Sequence, residues 1–191
     1  LARLPDAPLG VKGISLFLVP KILVNKDGSL GETNDLKALS LEDKIGIHAC
    51  PTCVMSYGDK TGAKGYLVGE ENKGIQCMFT MMNNARLTVG LQGVSIAERA
   101  YQQALSFCKE RVQGVAPGYK DAGPIIRHPD VQRMLATMKS IAEAARALTY
   151  TACAEVDMTA GDLPTGLLEK HNRRLGLLTP IVKGWCTEIA Q

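Results

Sequence analysis

The stretch GYLVGEENKGIQCMFTMMNNARL, residues 65–87, contains the change of hydrophobic period that decides the fold. Its first five residues have the pattern of a short strand with a glycine on either side. From Ile75 onward, apolar residues recur at steps of mostly three and four, which is the spacing of an amphipathic helix. The sequence therefore predicts a β-region that ends near residue 72 and a helical region that follows it.

The residues before this stretch carry strand and turn signals, with no helical pattern between them. Turn-forming residues occupy 25–29 and again 58–62. After the first of these turns, a polar stretch runs to Asp35. Strand-like runs rich in Val, Ile, Leu and Phe occupy residues 11–24, 36–47, 52–57 and 65–69. Strands joined by hairpins and loops favour a mainly antiparallel sheet.

After residue 74, the apolar pattern predicts helices over 75–112, over 129–159 and from 167 onward. Gly90 and Gly93 lower the propensity of the first helix but suit the close approach of another helix. Pro180 is expected to kink or restart the third. Helices of this length usually pack in antiparallel bundles, so we expect a fourth helix beyond residue 191 and a truncated chain.

These patterns predict an α+β fold with two domains. Residues 1–72 are expected to form part of a middle β-domain, and residues 73–191 an incomplete C-terminal helical bundle. The 191 residues are 46% hydrophobic and 21% charged, which is typical of a globular protein rather than of a disordered one.

Charge and cysteine content narrow the functional classes. The net charge is only +3 and the Lys and Arg residues are scattered among acidic ones, which argues against a nucleic-acid surface. No apolar run is long enough to span a membrane, and no charged segment followed by an apolar one is visible at the start of the sequence, so no signal peptide is predicted. The six cysteines are expected to be reduced, which favours a cytoplasmic protein.

Two polar segments within the helical region allow both a structural and a functional interpretation. Residues 111–114, Arg-Val-Gln-Gly, are expected to close the first helix, where a cation often only complements the helix dipole, but a guanidinium also binds phosphate in a bidentate manner. Residues 83–86, Asn-Asn-Ala-Arg, interrupt an apolar pattern, so they face solvent or line a binding cleft. Met78, Met81 and Met82 are interpreted as core rather than as part of a ligand pocket.

Cys50 and Cys53 have the C-x-x-C spacing. They lie between two predicted strands, whereas a reactive thiol pair is expected at a helix start. A zinc site would need a second pair of ligands, and only His48 lies near as a third. The structural interpretation is preferred, and no metal site is predicted.

The order of these segments resembles the acyl-CoA dehydrogenase family. The segment 44–53 is similar to the family's K-x-G-x-x-x-S-x-T turn, and 65–74 to its L-x-G-E-x-x-x-G segment before the C-terminal helical domain. Further matches are the strand 12–20, the arginine-containing segment 83–87, the R-x-x-F-G segment at 111–114 and the helix start at 128–134. The segment 25–35 and the amino-acid sequence of residues 81–87 resemble the larger bacterial branch of the family, which includes enzymes acting on 3-(methylthio)propionyl-CoA.

The resemblance implies a site residue by residue. Arg111 and Gln113 would hold the pyrophosphate of an FAD that belongs to a neighbouring subunit, and His128 would approach its adenosine side. Asn83 and Arg86 would line the acyl-CoA cleft. The sequence departs from the family in two places, because the Phe of R-x-x-F-G is missing before Gly114 and Cys50 replaces the commoner Ser.

The activity that the resemblance implies is FAD-dependent α,β-dehydrogenation of an acyl-CoA thioester, as in fatty acid metabolism. An electron-transfer flavoprotein would accept the electrons, and the protein would form a homodimer or homotetramer. The family's base is a Glu expected beyond residue 191, so no catalytic residue is assigned and the chain alone is expected to be inactive. The alternatives are a non-catalytic helical interaction module that uses the Met-rich helix face, and a paralogue that lacks the base.

Overall fold

A computed structural model describes all residues from Leu1 to Gln191. Contacts within the chain group them into two compact units, residues 1–80 and residues 81–191. Small antiparallel sheets come first and three long helices follow, which confirms the predicted α+β class. The division into domains at residue 72 stays a prediction.

The first unit contains seven short strands in three antiparallel sheets. β1, β2 and β7 form the first sheet in that order along the sheet, β3 pairs with β4, and β5 pairs with β6. The strands are β1 Ala2–Arg3, β2 Ile14–Leu18, β3 Ile22–Val24, β4 Leu30–Thr33, β5 Leu36–Leu41, β6 Cys53–Tyr57 and β7 Tyr66–Val68.

Two strand predictions in this unit were wrong. The stretch expected to be a polar excursion contains β4, which pairs with β3 across the turn at 25–29 because the Asp27 carboxylate accepts the backbone N–H of Ser29 and closes that turn. The run predicted as a strand to residue 47 ends at Leu41. Beyond it, the Lys44 ammonium donates to the carbonyl oxygens of Ile47 and Cys50, which curls the chain into a loop.

Asn34 connects three segments of the first unit. Its buried amide donates to the carbonyl oxygens of Pro20, at 2.9 Å, and Lys64, at 2.8 Å. Its side-chain oxygen accepts the N–H of Lys64 at 2.9 Å. These bonds satisfy the buried amide group and hold together the starts of β3, β5 and β7.

Asp35 anchors the turn after β6. One of its carboxylate oxygens accepts the backbone N–H groups of Lys60, Thr61 and Gly62 at 2.7, 2.7 and 3.1 Å. These bonds, that of Lys60 first, hold the pKa of the Asp35 carboxyl below its ordinary value. Asp35 therefore stabilises the fold when it is ionised, and this contribution is lost as the pH falls through that lowered pKa.

The first long helix starts directly against strand β2. The hydroxyl oxygen of buried Ser15 accepts the N–H of Asn72 at 2.9 Å. A Cβ atom at Gly74 would lie 2.3 Å from the backbone carbon of Ser15, so only glycine fits there. The family-like G-E-x-x-x-G spacing thus has a local steric reason in this chain.

The second unit is helical, and the bounds of the three helices of the chain agree closely with the predicted ones. Helix α1 spans Gly74–Glu110, α2 spans Pro129–Ala160 and α3 spans Thr165–Glu188. The second unit contains α2, α3 and all of α1 after residue 80. Helix α3 continues through Pro180. The buried core comes from all three helices and consists of Leu87, Val94, Ala145, Ala152, Val182 and Cys186.

Helices α1 and α3 approach each other at Gly90 and Gly93, as their sequence predicted. A Cβ atom at Gly90 would lie 2.3 Å from a Val182 methyl group, and one at Gly93 would lie 2.2 Å from the Cys186 carbonyl oxygen. Real Cβ atoms do not come that close to backbone oxygen, so any side chain at residue 93 would push the helices apart.

A charged cluster links α2 to α3. The Glu155 carboxylate is 6% exposed, and its two oxygens contact His171 Nδ1 at 2.5 Å and Arg174 Nη1 at 2.8 Å. Arg174 remains half-exposed, so its cation stays hydrated while it neutralises the buried carboxylate. Removing one partner from such a cluster costs more than the pair contributes, because the other is left buried.

Replacing Gly93 by Ala should lower the free energy of unfolding by about 1–3 kcal/mol, because the new methyl group overlaps the Cys186 carbonyl. The matched control is Gly184→Ala in α3, where a Cβ atom meets nothing within 4 Å. That change should raise stability by about 0.5–1 kcal/mol through helix propensity. Urea denaturation measures both, and equal effects of the two substitutions would show that the helices do not cross at Gly93.

The substitution Glu155→Gln should lower the free energy of unfolding by about 1–3 kcal/mol, since His171 and Arg174 lose a charged acceptor in a buried setting. Glu169→Gln is the control, because Glu169 pairs with Arg173 on the exposed surface of α3. Exposed pairs one helical turn apart contribute only about 0.3–0.5 kcal/mol. Similar small losses from both changes would contradict a structural role for the cluster.

Candidate functional site

The segment that carries Arg111 and Gln113 leaves the helix. Helix α1 ends at Glu110, and Val112 then pairs with Pro124 in an antiparallel bridge. The N–H of Ile125 donates to the Arg111 carbonyl at 2.8 Å, and the N–H of Gln113 donates to the Gly123 carbonyl at 3.2 Å. The expectation that residues 111–114 close the helix was wrong, because extended pairing with 123–125 replaces the last helical turn.

This extended pairing puts the side chains of Arg111 and Gln113 on one face, since alternate residues of a strand share a face. Arg111 Nη2 lies 3.5 Å from Gln113 Oε1, a distance too long for a strong hydrogen bond. Both side chains are exposed, and no carboxylate of the chain pairs with the Arg111 guanidinium. The guanidinium is therefore available to an anion.

His128 supports this segment from the start of α2. Its Nε2 lies 3.0 Å from the Gln113 carbonyl oxygen, which can only accept, so Nε2 carries the proton. The ring also lies 3.8 Å from the position that a Cβ atom of Gly114 would take. The structure thus brings together Arg111, Gln113 and His128, with His128 on the backbone of the segment.

Gly114 has φ of +68°, in the region that favours glycine. The N–H of Gly123 donates to the Gly114 carbonyl at 3.3 Å while the Gly123 carbonyl binds the N–H of Gln113. Two residues therefore oppose one, which is the pattern of a β-bulge. Bulges re-aim a neighbouring side chain, and here the neighbour is Gln113.

Three further residues between Gly114 and the start of α2 were missed by the sequence interpretation. The Arg127 guanidinium lies over the Tyr119 ring, 4.6 Å from its centroid. A Cβ atom at Gly123 would lie 2.2 Å from Arg127 Nη1, so the guanidinium fills the space beside this glycine. The only signal in the sequence was the richness of residues 115–123 in Gly and Pro, which marked the segment as a break between helices.

Asn83 and Arg86 lie one turn apart on α1. Arg86 Nη1 is 3.4 Å from Asn83 Oδ1; Asn83 is exposed and Arg86 is half-buried. The polar segment thus occupies an accessible helix face. The core interpretation of the neighbouring methionines was wrong for Met81, which is 61% exposed, and for Met82, which is 37% exposed.

A groove of about 240 Å³ lies between α1 and α2 beside this polar segment. Its lining is mostly apolar, with an amide, a hydroxyl, a thiol and a carboxylate at its edges. The residues that line it are Asn84, Leu87, Thr88, Leu91, Cys153, Val156 and Asp157.

The C-x-x-C pair lies in the loop before β6, with Cys50 exposed and Cys53 partly buried. No group of three or more His, Cys, Asp and Glu side chains gathers closely enough to hold a metal ion. None of the helices combines the length and the apolar character that crossing a bilayer requires.

Comparison with known proteins identifies relatives over the whole chain. Residues 72–191 match the sequence model of the family described as acyl-CoA dehydrogenase, C-terminal domain. The chain is 49% identical over 192 residues to the 3-methylmercaptopropionyl-CoA dehydrogenase of Ruegeria pomeroyi, a match that covers 100% of this chain and 32% of that relative. The chain spans about a third of the length of the curated relatives that it matches first.

Solved structures share the fold. Caenorhabditis elegans ACDH-11 in complex with C11-CoA matches with a TM-score of 0.74 at 21% identity, over 95% of this chain and 28% of that one. An acyl-CoA dehydrogenase from Bacillus anthracis complexed with FAD matches with a TM-score of 0.66 at 20% identity, over 88% of this chain and 30% of that one.

Proposed function

The chain belongs to the acyl-CoA dehydrogenase family, as its motifs indicated, and we propose that the whole protein containing these residues is an FAD-dependent acyl-CoA dehydrogenase. The observation that carries this proposal is the placement of Arg111 and Gln113 on one exposed face, where no carboxylate pairs with Arg111, within a chain of this family. The substrate class is an acyl-CoA thioester, in which the bond between the α- and β-carbons is oxidised.

The donor set fits the diphosphate of FAD. Arg111 supplies a planar guanidinium, which matches phosphate geometry, and Gln113 supplies an amide N–H₂ beside it. His128 holds the Gln113 backbone in place through its Nε2–H. FAD, when bound, supplies the acceptor for the hydride that leaves the β-carbon.

Asn83 and Arg86 are the residues that we propose bind the acyl-CoA thioester. The relative named for 3-methylmercaptopropionyl-CoA and the structure solved with C11-CoA both belong to proteins that bind acyl-CoA, which supports acyl-CoA as the ligand. An exposed amide next to a half-buried guanidinium donates hydrogen bonds to the carbonyl and phosphate oxygens of such a ligand. Neither side chain is a base at neutral pH, so they bind and orient while a carboxylate elsewhere removes the α-proton.

The spacing along α1 supports a homo-oligomer. An unbroken helix from Arg86 to Glu110 separates the two sites by about 36 Å, at roughly 1.5 Å per residue. This length suits an arrangement in which Arg86 serves the acyl-CoA of its own subunit and Arg111 the FAD of a neighbouring one. We therefore include a homodimer or homotetramer in the proposal, with an electron-transfer flavoprotein as acceptor.

A reducing compartment is part of the same proposal. All six cysteines are free thiols, although Cys50 is exposed. Disulfides persist in oxidising compartments and are rare in the cytosol, so free thiols support a cytoplasmic location.

The first test is flavin binding and reduction by the whole protein. Purified with FAD, it should show the visible flavin bands, and an acyl-CoA should bleach them in the absence of oxygen; 3-methylmercaptopropionyl-CoA and butyryl-CoA both belong in the panel. The substitution Arg111→Gln should weaken FAD binding by about 10–100-fold, because one charge-assisted hydrogen-bonding group is lost.

A whole protein that stays colourless after incubation with FAD would contradict the dehydrogenase proposal. The exposed Met81 and Met82 would then favour the helical interaction module as its function. Bound flavin that no acyl-CoA bleaches would instead identify the paralogue that lacks the base.

A second experiment separates the two sites. Arg86→Gln should lower kcat/KM for an acyl-CoA by about 10–100-fold through the loss of a charged hydrogen bond, with the Kd for FAD unchanged. The control is Arg173→Gln, which removes an exposed guanidinium paired with Glu169 on α3 and should leave both values unchanged. An Arg86 variant that loses FAD affinity instead would move this residue to the cofactor site.

A further inference from the structure

We propose that Arg127 is a third anion-binding group of the FAD site, held in place by Tyr119. This inference rests on the proposed function, in which Arg111 and Gln113 form an anion clamp. It adds Tyr119, from the loop 115–123 that follows this clamp, and Arg127, from the short turn before α2. The ligand class is the diphosphate of the dinucleotide, and the observation behind the proposal is the placement of the Arg127 guanidinium beside Gly123.

The pairing register between residues 111–113 and 123–125 determines on which face the Arg127 guanidinium lies. Because Val112 pairs with Pro124, Gln113 stands opposite Gly123, and opposite residues of an antiparallel pair project to the same face. The same face also carries the Arg111 side chain, two residues before Gln113. Gly123 itself contributes no side chain to it.

Arg127 fills that vacant place. Its Nη1, Cζ and Cδ atoms lie 2.2, 2.6 and 3.0 Å from the position that a Cβ atom of Gly123 would occupy. The guanidinium therefore lies where the side chain opposite Gln113 would be. Gly123 is buried beneath it, so the guanidinium covers the backbone of the ladder.

Tyr119 fixes the orientation of this guanidinium. The ring lies 4.6 Å from Arg127 Cζ, within the range of a cation–π contact. No carboxylate of the chain pairs with Arg127, although Asp121 and Asp130 are close in sequence. A guanidinium that stacks on an aromatic ring keeps its N–H edge free for phosphate oxygens, which is the arrangement expected of an anion-binding arginine.

The segment before this loop is also where the chain departs from the family pattern. Where the family has R-x-x-F-G, this chain has Arg111-Val112-Gln113-Gly114 without the Phe, and residues 115–123 follow as a loop. Tyr119 of that loop supplies an aromatic ring, and the Arg127 guanidinium lies over this ring.

The test measures the Kd of FAD for the whole protein, prepared as apoprotein, from the quenching of flavin fluorescence. Arg127→Gln should weaken binding on the order of tenfold or more, and Arg127→Lys should restore part of the loss because the charge returns without the planar fork. Arg133→Gln is the matched control, and its Kd for FAD should stay within about twofold of the wild-type value. Arg133 is an exposed arginine of α2 that already pairs with Asp130.

Two further variants test the placement of the guanidinium rather than its presence. Gly123→Ala keeps Arg127 but displaces its flexible head, so it should weaken FAD binding while the melting temperature changes little. Tyr119→Leu should weaken FAD binding in the wild-type background and have little further effect in the Arg127→Gln background, because Tyr119 acts through Arg127. Added salt should weaken FAD binding less in Arg127→Gln than in the wild type.

The outcomes separate this inference from the proposed function. If Arg127→Gln binds FAD as tightly as Arg133→Gln while Arg111→Gln is weakened, Arg127 is not part of the site and the clamp stands without it. Additive losses from Tyr119→Leu and Arg127→Gln would overturn the positioning role of Tyr119. A wild-type protein that binds no FAD would overturn the proposed function itself, and this inference with it.

Discussion

The close approach of α1 and α3 at Gly90 and Gly93 is the constraint on which the helical unit depends. A Cβ atom at Gly93 would lie within 2.2 Å of backbone oxygen, so the helices touch main chain to main chain there. Several buried positions of α2 are correspondingly small, with Ala145 and Ala152 fully buried. A core of this kind tolerates little added volume, because the backbones themselves would have to separate.

That crossing also fixes where the two candidate sites lie. Arg86 precedes Gly90 by about one helical turn, and Arg111 follows the last residue of the same helix. Helix α1 is held by its crossing with α3 in its middle and by the salt bridge between Glu98 and Arg146 of α2, at 2.6 Å, further along. A helix that carries one candidate site near its middle and the other just beyond its C-terminal end keeps the two at a set spacing.

The local spacing of apolar residues was enough to predict the helices. Which helix faces are buried, and which site residues lie together, depends on contacts between residues far apart in the sequence. The three-to-four spacing located α1, α2 and α3 to within a few residues, and Gly90 and Gly93 indicated a close partner. The spacing could not tell which apolar face is covered, so Met81 and Met82 were wrongly assigned to the core. The roles of Arg111, Gln113 and His128 came from resemblance and stay proposals, although their proximity is now visible.

The loop at 115–123 could not have been interpreted from pattern, because its meaning depends on a register that only the folded chain has. The residues next to Gly123 in the sequence give no sign of its role, yet it lies opposite Gln113 and leaves space that the Arg127 side chain fills. A family pattern lists the residues that most members share at a site. Where a member lacks one of them, as this chain lacks the Phe before Gly114, the geometry of the site depends on residues that the pattern does not contain. Such residues are found from the space around a glycine and from cations without acidic partners, which are properties of contacts rather than of sequence order.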